Sequence, residues 1–302
     1  MLDYSPAQVT KSEAPERVLR TVALLSRRGY ALSPARVGAI CMGGAMSESD
    51  VRRAIAASTD LTVVRDLVVE RNHMPRIDEI LARANGHAAA SPAYVEMTRR
   101  FVSALVVAAP FVRSVWIAGS LATGGFRDSD DVDLNLVVDD GHRHLAYVVV
   151  NALGLLHALR HRGKPVDDLT RRPIAPRLMT ANLILETSQL APLARQDEGM
   201  AFELLVSQPV FGGNVFDQIV AANLRLAEHF PQLLGTREQN EIQSPSTRLP
   251  RWLYPALLDG AARVLGGAAW RYMQWTRRHS PDALARVAFV RDTMRPYTLF
   301  DS

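Results

Sequence analysis

From Ser114 to Val138 the chain reads SVWIAGSLATGGFRDSDDVDLNLVV, and this stretch limits the fold more than any other. The apolar run Val115-Trp116-Ile117-Ala118 has the length and composition of a buried strand, and Gly119-Ser120 stops it. A loop with Gly124 and Gly125 follows, and Asp131 to Val138 re-enters an extended segment. Side chains alternate across a strand, so Val132, Leu134, Leu136 and Val138 share one face while Asp131 and Asp133 share the other. Two carboxylates held side by side repel unless a cation lies between them. Mg²⁺, or Mn²⁺ in its place, suits them as a hard ion that takes oxygen ligands and keeps room for phosphates. Gly119 has no Cβ, so a backbone N–H and the Ser120 hydroxyl can approach phosphate oxygens closely. A phosphate site beside paired carboxylates is what in-line phosphoryl or nucleotidyl transfer requires.

At these residues the chain resembles the DNA polymerase β-like nucleotidyltransferase superfamily. The signature of that family is an apolar strand, Gly-Ser, a loop and Asp-x-Asp opening a second strand. Here those are Gly119-Ser120 and Asp131-Val132-Asp133. More loosely, the whole chain is similar to bacterial and archaeal proteins with a winged-helix segment before such a domain and a helical segment after it. The resemblance implies an α/β (α+β) fold, a small mixed sheet with helices on one face. It divides the chain into a winged-helix-like segment at 1–75, a nucleotidyltransferase domain at 76–196 and a helical domain at 197–302.

The activity it implies is metal-dependent transfer of a nucleoside monophosphate from an NTP, ATP included, to a hydroxyl-bearing acceptor. Asp131 and Asp133 would bind Mg²⁺, and Gly119 and Ser120 would hold the triphosphate. Arg127, in the intervening loop, either neutralises phosphate charge or is a plain loop arginine. The family also carries a third acidic residue on a strand beside the aspartate pair. Leu178 to Glu186 is that strand, with Asn182 in its middle and Glu186 at its end. Alternation puts both on the Thr180/Asn182/Ile184/Glu186 face. Glu186 is then the candidate third carboxylate and general base, and Asn182 a neutral ligand that cannot act as a base. Asp167 and Asp168, in the preceding loop, lie outside the pattern. The acceptor (tRNA, protein or a small metabolite), the preferred base and the oligomeric state are not written in the sequence. Two other readings stay open: a winged-helix DNA- or protein-binding regulator with a degenerate, nucleotide-sensing domain, and a toxin or antitoxin of the nucleotidyltransferase type.

Ahead of this stretch, helical spacing runs from Glu16 to Arg27 and ends at Gly29. Ser33-Pro34 is an N-cap followed by proline at the first helical position, and Ser47-Glu48-Ser49-Asp50 resembles a capping box. Two short apolar segments flank Arg65-Asp66 like a hairpin. On the third helix Arg52 and Arg53 are the exposed positives, with Val51 and Ile55 facing inward. Those two arginines are few for a DNA-reading helix, so packing on the catalytic domain or binding protein is the preferred role. Helices are expected at 76–84 and 93–109, and again at 144–160.

The C-terminal third reads as helical at 199–207, 215–230 and 252–279, with a turn at Pro209/Gly212/Gly213 and a polar linker at 236–250. Trp252, Tyr254, Trp270, Tyr272 and Trp275 fall among Arg263, Arg271, Arg277 and Arg278. Such a mixture either stacks on bases or, the preferred reading, packs on a neighbouring helix with its arginines reaching water. The formal net charge of +4 is compatible with nucleotides, although the arginine is so dominant over lysine (only Lys11 and Lys164) that genome composition explains it as well. One cysteine, Cys41, excludes an internal disulfide framework. With no basic leader and no apolar run of membrane length, a cytoplasmic protein off the membrane is expected.

Overall fold

The structure, a computed structural model, describes residues 13–160, 179–235 and 241–300. The loop read at 163–177, with Asp167 and Asp168, lies outside them. The protein is mixed α/β. Its N-terminal part consists of helices α1 (Ala14–Ser26), α2 (Pro34–Ala39) and α3 (Glu48–Ala56), then strands β1 (Leu61–Val64) and β2 (Leu67–Glu70) paired antiparallel. Both expected caps form: Ser33 accepts the Arg36 N–H and Ser47 accepts the Asp50 N–H. Arg65 and Asp66 both take positive φ, the two-residue turn that matches strand twist. Val51 and Ile55 are buried, and Arg52 and Arg53 are exposed.

Both of those arginines are already ion-paired within the module, Arg52 to Glu48 and Asp66, and Arg53 to Asp50. Cations neutralised by their neighbours release few phosphate counterions. The chain is therefore expected to show no nanomolar, sequence-dependent binding to genomic DNA fragments at physiological salt. A mobility shift of that affinity would overturn the expectation.

Helix α4 (Ile77–Ala108) is continuous where two helices were expected. Pro92 sits inside it, and the Ala88–Ala90 run, made of the best helix former, carries the chain through. It delivers the chain to β3 (Val112–Ile117), which is followed by a single turn of helix, α5 (Gly119–Thr123), and by β4 (Val132–Val138). Next come α6 (Arg143–Arg160), β5 (Met179–Glu186) and α7 (Glu198–Val206), which match the expected elements closely. The Pro209 turn is instead an edge strand, β6 (Gln208–Phe211). Proline is tolerated there because an edge strand needs ladder bonds on one side only. Helices α8 (Gly213–Ala222) and α9 (Arg225–His229) divide at Asn223, whose side chain bonds the Leu193 N–H and the Leu190 and Ile219 carbonyls. Helices α10 (Leu257–Arg277) and α11 (Pro281–Met294) complete the fold.

The sheet order is β5-β4-β3-β6, with β4 parallel to β5 and the other pairs antiparallel. Helices cover both faces, not one. Val132, Leu134, Leu136 and Val138 are fully buried against α4 and α6, as their alternation requires. On the opposite face Trp116, Val137, Leu183 and Leu185 join a second core with α7, α8 and the N-terminal helices. That core runs across positions 75/76 and 196/197, so the three segments are packed as one body. The aromatic residues of the C-terminal region divide as well. Tyr254 packs on Phe111 and Trp270 on Phe300, whereas Trp252, Tyr272 and Trp275 are exposed.

Candidate functional site

Asp133 lies on β4 in register with Thr180 of β5, and the Thr180 hydroxyl donates to its Oδ1 at 3.3 Å. On its other side stands Gly119, with φ at +61°. A Cβ at Gly119 would lie 2.0 Å from Asp133 Oδ2, so glycine is required twice over, by backbone conformation and by the carboxylate. The Gly-Ser turn and the Asp-x-Asp strand thus meet in space. Asp131 is half-buried at the mouth of β4, and neither its carboxylate nor the Ser120 hydroxyl is engaged by a described residue. Gly119 and Asp133 are therefore brought together, with Ser120 and Asp131 close to them in the chain and no described residue bonded to either of those two side chains.

The remaining candidates are not part of this group. Glu186 is in register with Val138, five residues beyond the Asp133–Thr180 pair, or roughly 16 Å at strand rise. It is on the other face as well. The β4–β5 register shifts between Leu134 and Asn135, pairing Leu134 with Ala181 and Asn135 with Leu183, so Asn182 is an extra residue in β5. One extra residue inverts every side chain beyond it. Leu183 and Leu185 consequently join Trp116 and Val137 in the core on the Asp133 side, and Ile184 and Glu186 turn away. Glu186 accepts the Gly141 N–H at 2.7 Å and caps the turn at Thr187–Gln189, a structural role. Glu186→Gln is accordingly expected to change any turnover by less than twofold, far below the 10²–10⁴-fold that loss of a general base costs. A loss in that larger range would return Glu186 to the site.

Arg127 is drawn away too, its guanidinium paired with Glu79 of α4 at 3.0 Å. Asn182, at the bulge, is half-buried rather than facing Asp133 in register, the place that Thr180 takes.

Three residues escaped the sequence reading. Glu203 of α7 is buried, paired with Arg28 at 3.2 Å, and its Oε1 lies 3.4 Å from the Gly119 N–H. Nothing in an apolar helix 84 positions downstream marks it as a neighbour of the turn. Tyr30 packs its ring where a Cβ on Gly125 would stand, with the Arg83 guanidinium 4.7 Å above it. Burial pushes its hydroxyl up to about 12; Arg83 and Arg28 oppose the shift, and the Asp133 and Asp130 carboxylates reinforce it. Asp130 is buried and bridges Arg83 and the Arg127 N–H, which fixes the loop leading to Asp131. The N-terminal module and α4 thereby hold the acidic loop in place.

Among the described residues no group of three or more His, Cys, Asp or Glu side chains is arranged to hold a metal ion. Nor is any helix among them long and apolar enough to cross a membrane. Comparison with protein-family models, curated proteins and solved structures finds no match for the chain. The site alone carries the functional argument.

Proposed function

We propose that the chain binds a nucleoside triphosphate with Mg²⁺ at Gly119, Ser120, Asp131 and Asp133, and transfers its nucleoside monophosphate to a hydroxyl-bearing acceptor. The observation that carries this reading is the contact between the Gly119 turn and the Asp133 carboxylate, with no described residue engaging the side chains of Ser120 and Asp131. Two carboxylates suit one Mg²⁺ that shares its remaining positions with waters and phosphate oxygens. The bound ion neutralises phosphate charge. Asp131 and Asp133 would hold it, Thr180 orients Asp133, and the Ser120 hydroxyl with nearby backbone N–H groups would receive the phosphate oxygens. Arg28 fixes the Glu203 carboxylate against the Gly119 N–H and so helps hold the turn.

A second reading, nucleotide sensing without transfer, is favoured by one specific observation. Opposite Asp133 the neighbouring strand carries Thr180 and not a carboxylate, and Glu186 is at its far end. A site of this kind retains one ion more readily than two. Incubation of the purified chain with labelled NTPs and Mg²⁺ separates the readings. Pyrophosphate release that depends on Asp133 supports transfer, and a screen of tRNA, proteins and hydroxylated metabolites then finds the acceptor. Metal-dependent NTP binding with no release under that screen supports sensing. The absence of both overturns the site.

A further inference from the structure

Helix α10 has two apolar faces. One is packed: Ala262 is buried, and a Cβ on Gly266 would come within 2.6 Å of Phe300 and 3.3 Å of Tyr147 on α6. The other is open to solvent, with Leu265 65%, Tyr272 46% and Trp275 55% exposed. A helix that is apolar on opposite sides is ordinarily covered on both. Contiguous exposed apolar surface of this kind marks an interaction site.

The spacing identifies what would cover it. Leu258, Leu265 and Tyr272 recur every seven residues, and so do Ala261, Ala268 and Trp275. Together they form the two columns of a coiled-coil seam, in which residues four and three apart alternate. The alanines leave holes between bulkier side chains, a relief that fits another helix better than a fluid lipid surface. The flank beside the second column carries Leu257 and Val264 toward its N-terminal end and Arg271 and Arg278 toward its C-terminal end, all four exposed, with Arg278 stacked over the Trp275 ring at 4.6 Å. The only acid on α10, Asp259, is already occupied by His144 at 2.7 Å and by the Leu145 N–H. A second copy of the helix is a poor match. Antiparallel, it would set Arg271 and Arg278 against the Val264 and Leu257 end of the same flank, which carries no acid. Parallel, it would offer only its other flank, which is likewise without an acid.

We propose that the exposed seam of α10 docks an amphipathic helix of a partner protein, one with leucine-type residues on its apolar stripe and glutamate or aspartate along its flank. This inference does not depend on the nucleotide site. It is tested by fluorescence anisotropy on the full chain with two labelled 21-residue helical peptides, both with leucine at the seam positions. One carries glutamate on its flanks and the other lysine. The glutamate peptide is expected to bind at least about tenfold tighter, as complementary flank charges dictate. The charge reversal Arg271→Glu with Arg278→Glu should erase that preference, and Leu265→Glu should abolish binding of either peptide while far-ultraviolet circular dichroism stays unchanged. Equal affinities, or no binding, would overturn the proposal. So would a wild-type dimer in light scattering that Leu265→Glu converts to monomer, since a second copy would then occupy the seam. Leu265-dependent sedimentation with anionic vesicles, without discrimination between the peptides, would assign the face to a lipid surface instead.

Discussion

Asp133→Ala is expected to remove the entire Mg²⁺-dependent gain in NTP affinity. Asp133 is in contact with the turn proposed to hold phosphate, so it is the side chain through which metal and triphosphate are coupled. Loss of a mere supporting partner of a metal ligand costs about 10–100-fold in affinity, and loss of the ligand itself should exceed that. Calorimetric titration of ATP with and without Mg²⁺ makes the measurement, with Mn²⁺ as the substitute ion. Asp131→Ala should behave alike, and Thr180→Val, which removes only the hydroxyl orienting Asp133, should cost less. Equal affinity with and without metal in the wild-type chain would defeat the metal site. An intact metal effect in Asp133→Ala would leave the ion to other residues and remove this carboxylate from the reading.

Gly119→Ala should be nearly as damaging and for a different reason. Left-handed backbone costs a residue with a Cβ about 1–2 kcal/mol, and here the added carbon would also fall 2.0 Å from Asp133 Oδ2. Either the turn unwinds or the carboxylate is pushed off Thr180. The expected result is a melting temperature lowered by a few degrees together with loss of metal-dependent NTP binding. Ser120→Ala is the control, since it removes a hydroxyl that no described residue engages and leaves the backbone alone. Its melting temperature should match wild type while its NTP affinity falls. A Gly119→Ala chain with unchanged melting temperature and unchanged NTP binding would show that the turn and the strand are not coupled.

What the sequence by itself determined is what short-range chemistry encodes. The alternation at Val132, Leu134, Leu136 and Val138 fixed that these four share one face of β4, because strand period is a property of consecutive residues. Caps at Ser33 and Ser47, the Arg65-Asp66 hairpin and the extent of α6 were legible on the same ground. The candidate site was half legible: the motif supplied Gly119, Ser120, Asp131 and Asp133, and folding brought Gly119 and Asp133 into contact.

Only the tertiary structure decided the rest. Whether β5 presents Glu186 to the aspartates depends on its register against β4, and one extra residue at Asn182 reverses the answer. That residue is invisible to alternation within β5 alone. Pro209 could be placed in a strand only once β6 was known to be an edge. Glu203, Arg28 and Tyr30 reached the site from distant helices and turns because a common core packs α7 and the N-terminal module on the same sheet face. The solvent-facing seam of α10 was written in its heptads, but a heptad does not say which of two apolar faces finds a partner within its own chain. That was settled by α6 and Phe300, which took the face with Ala262 and Gly266, where small residues let the helices approach closely.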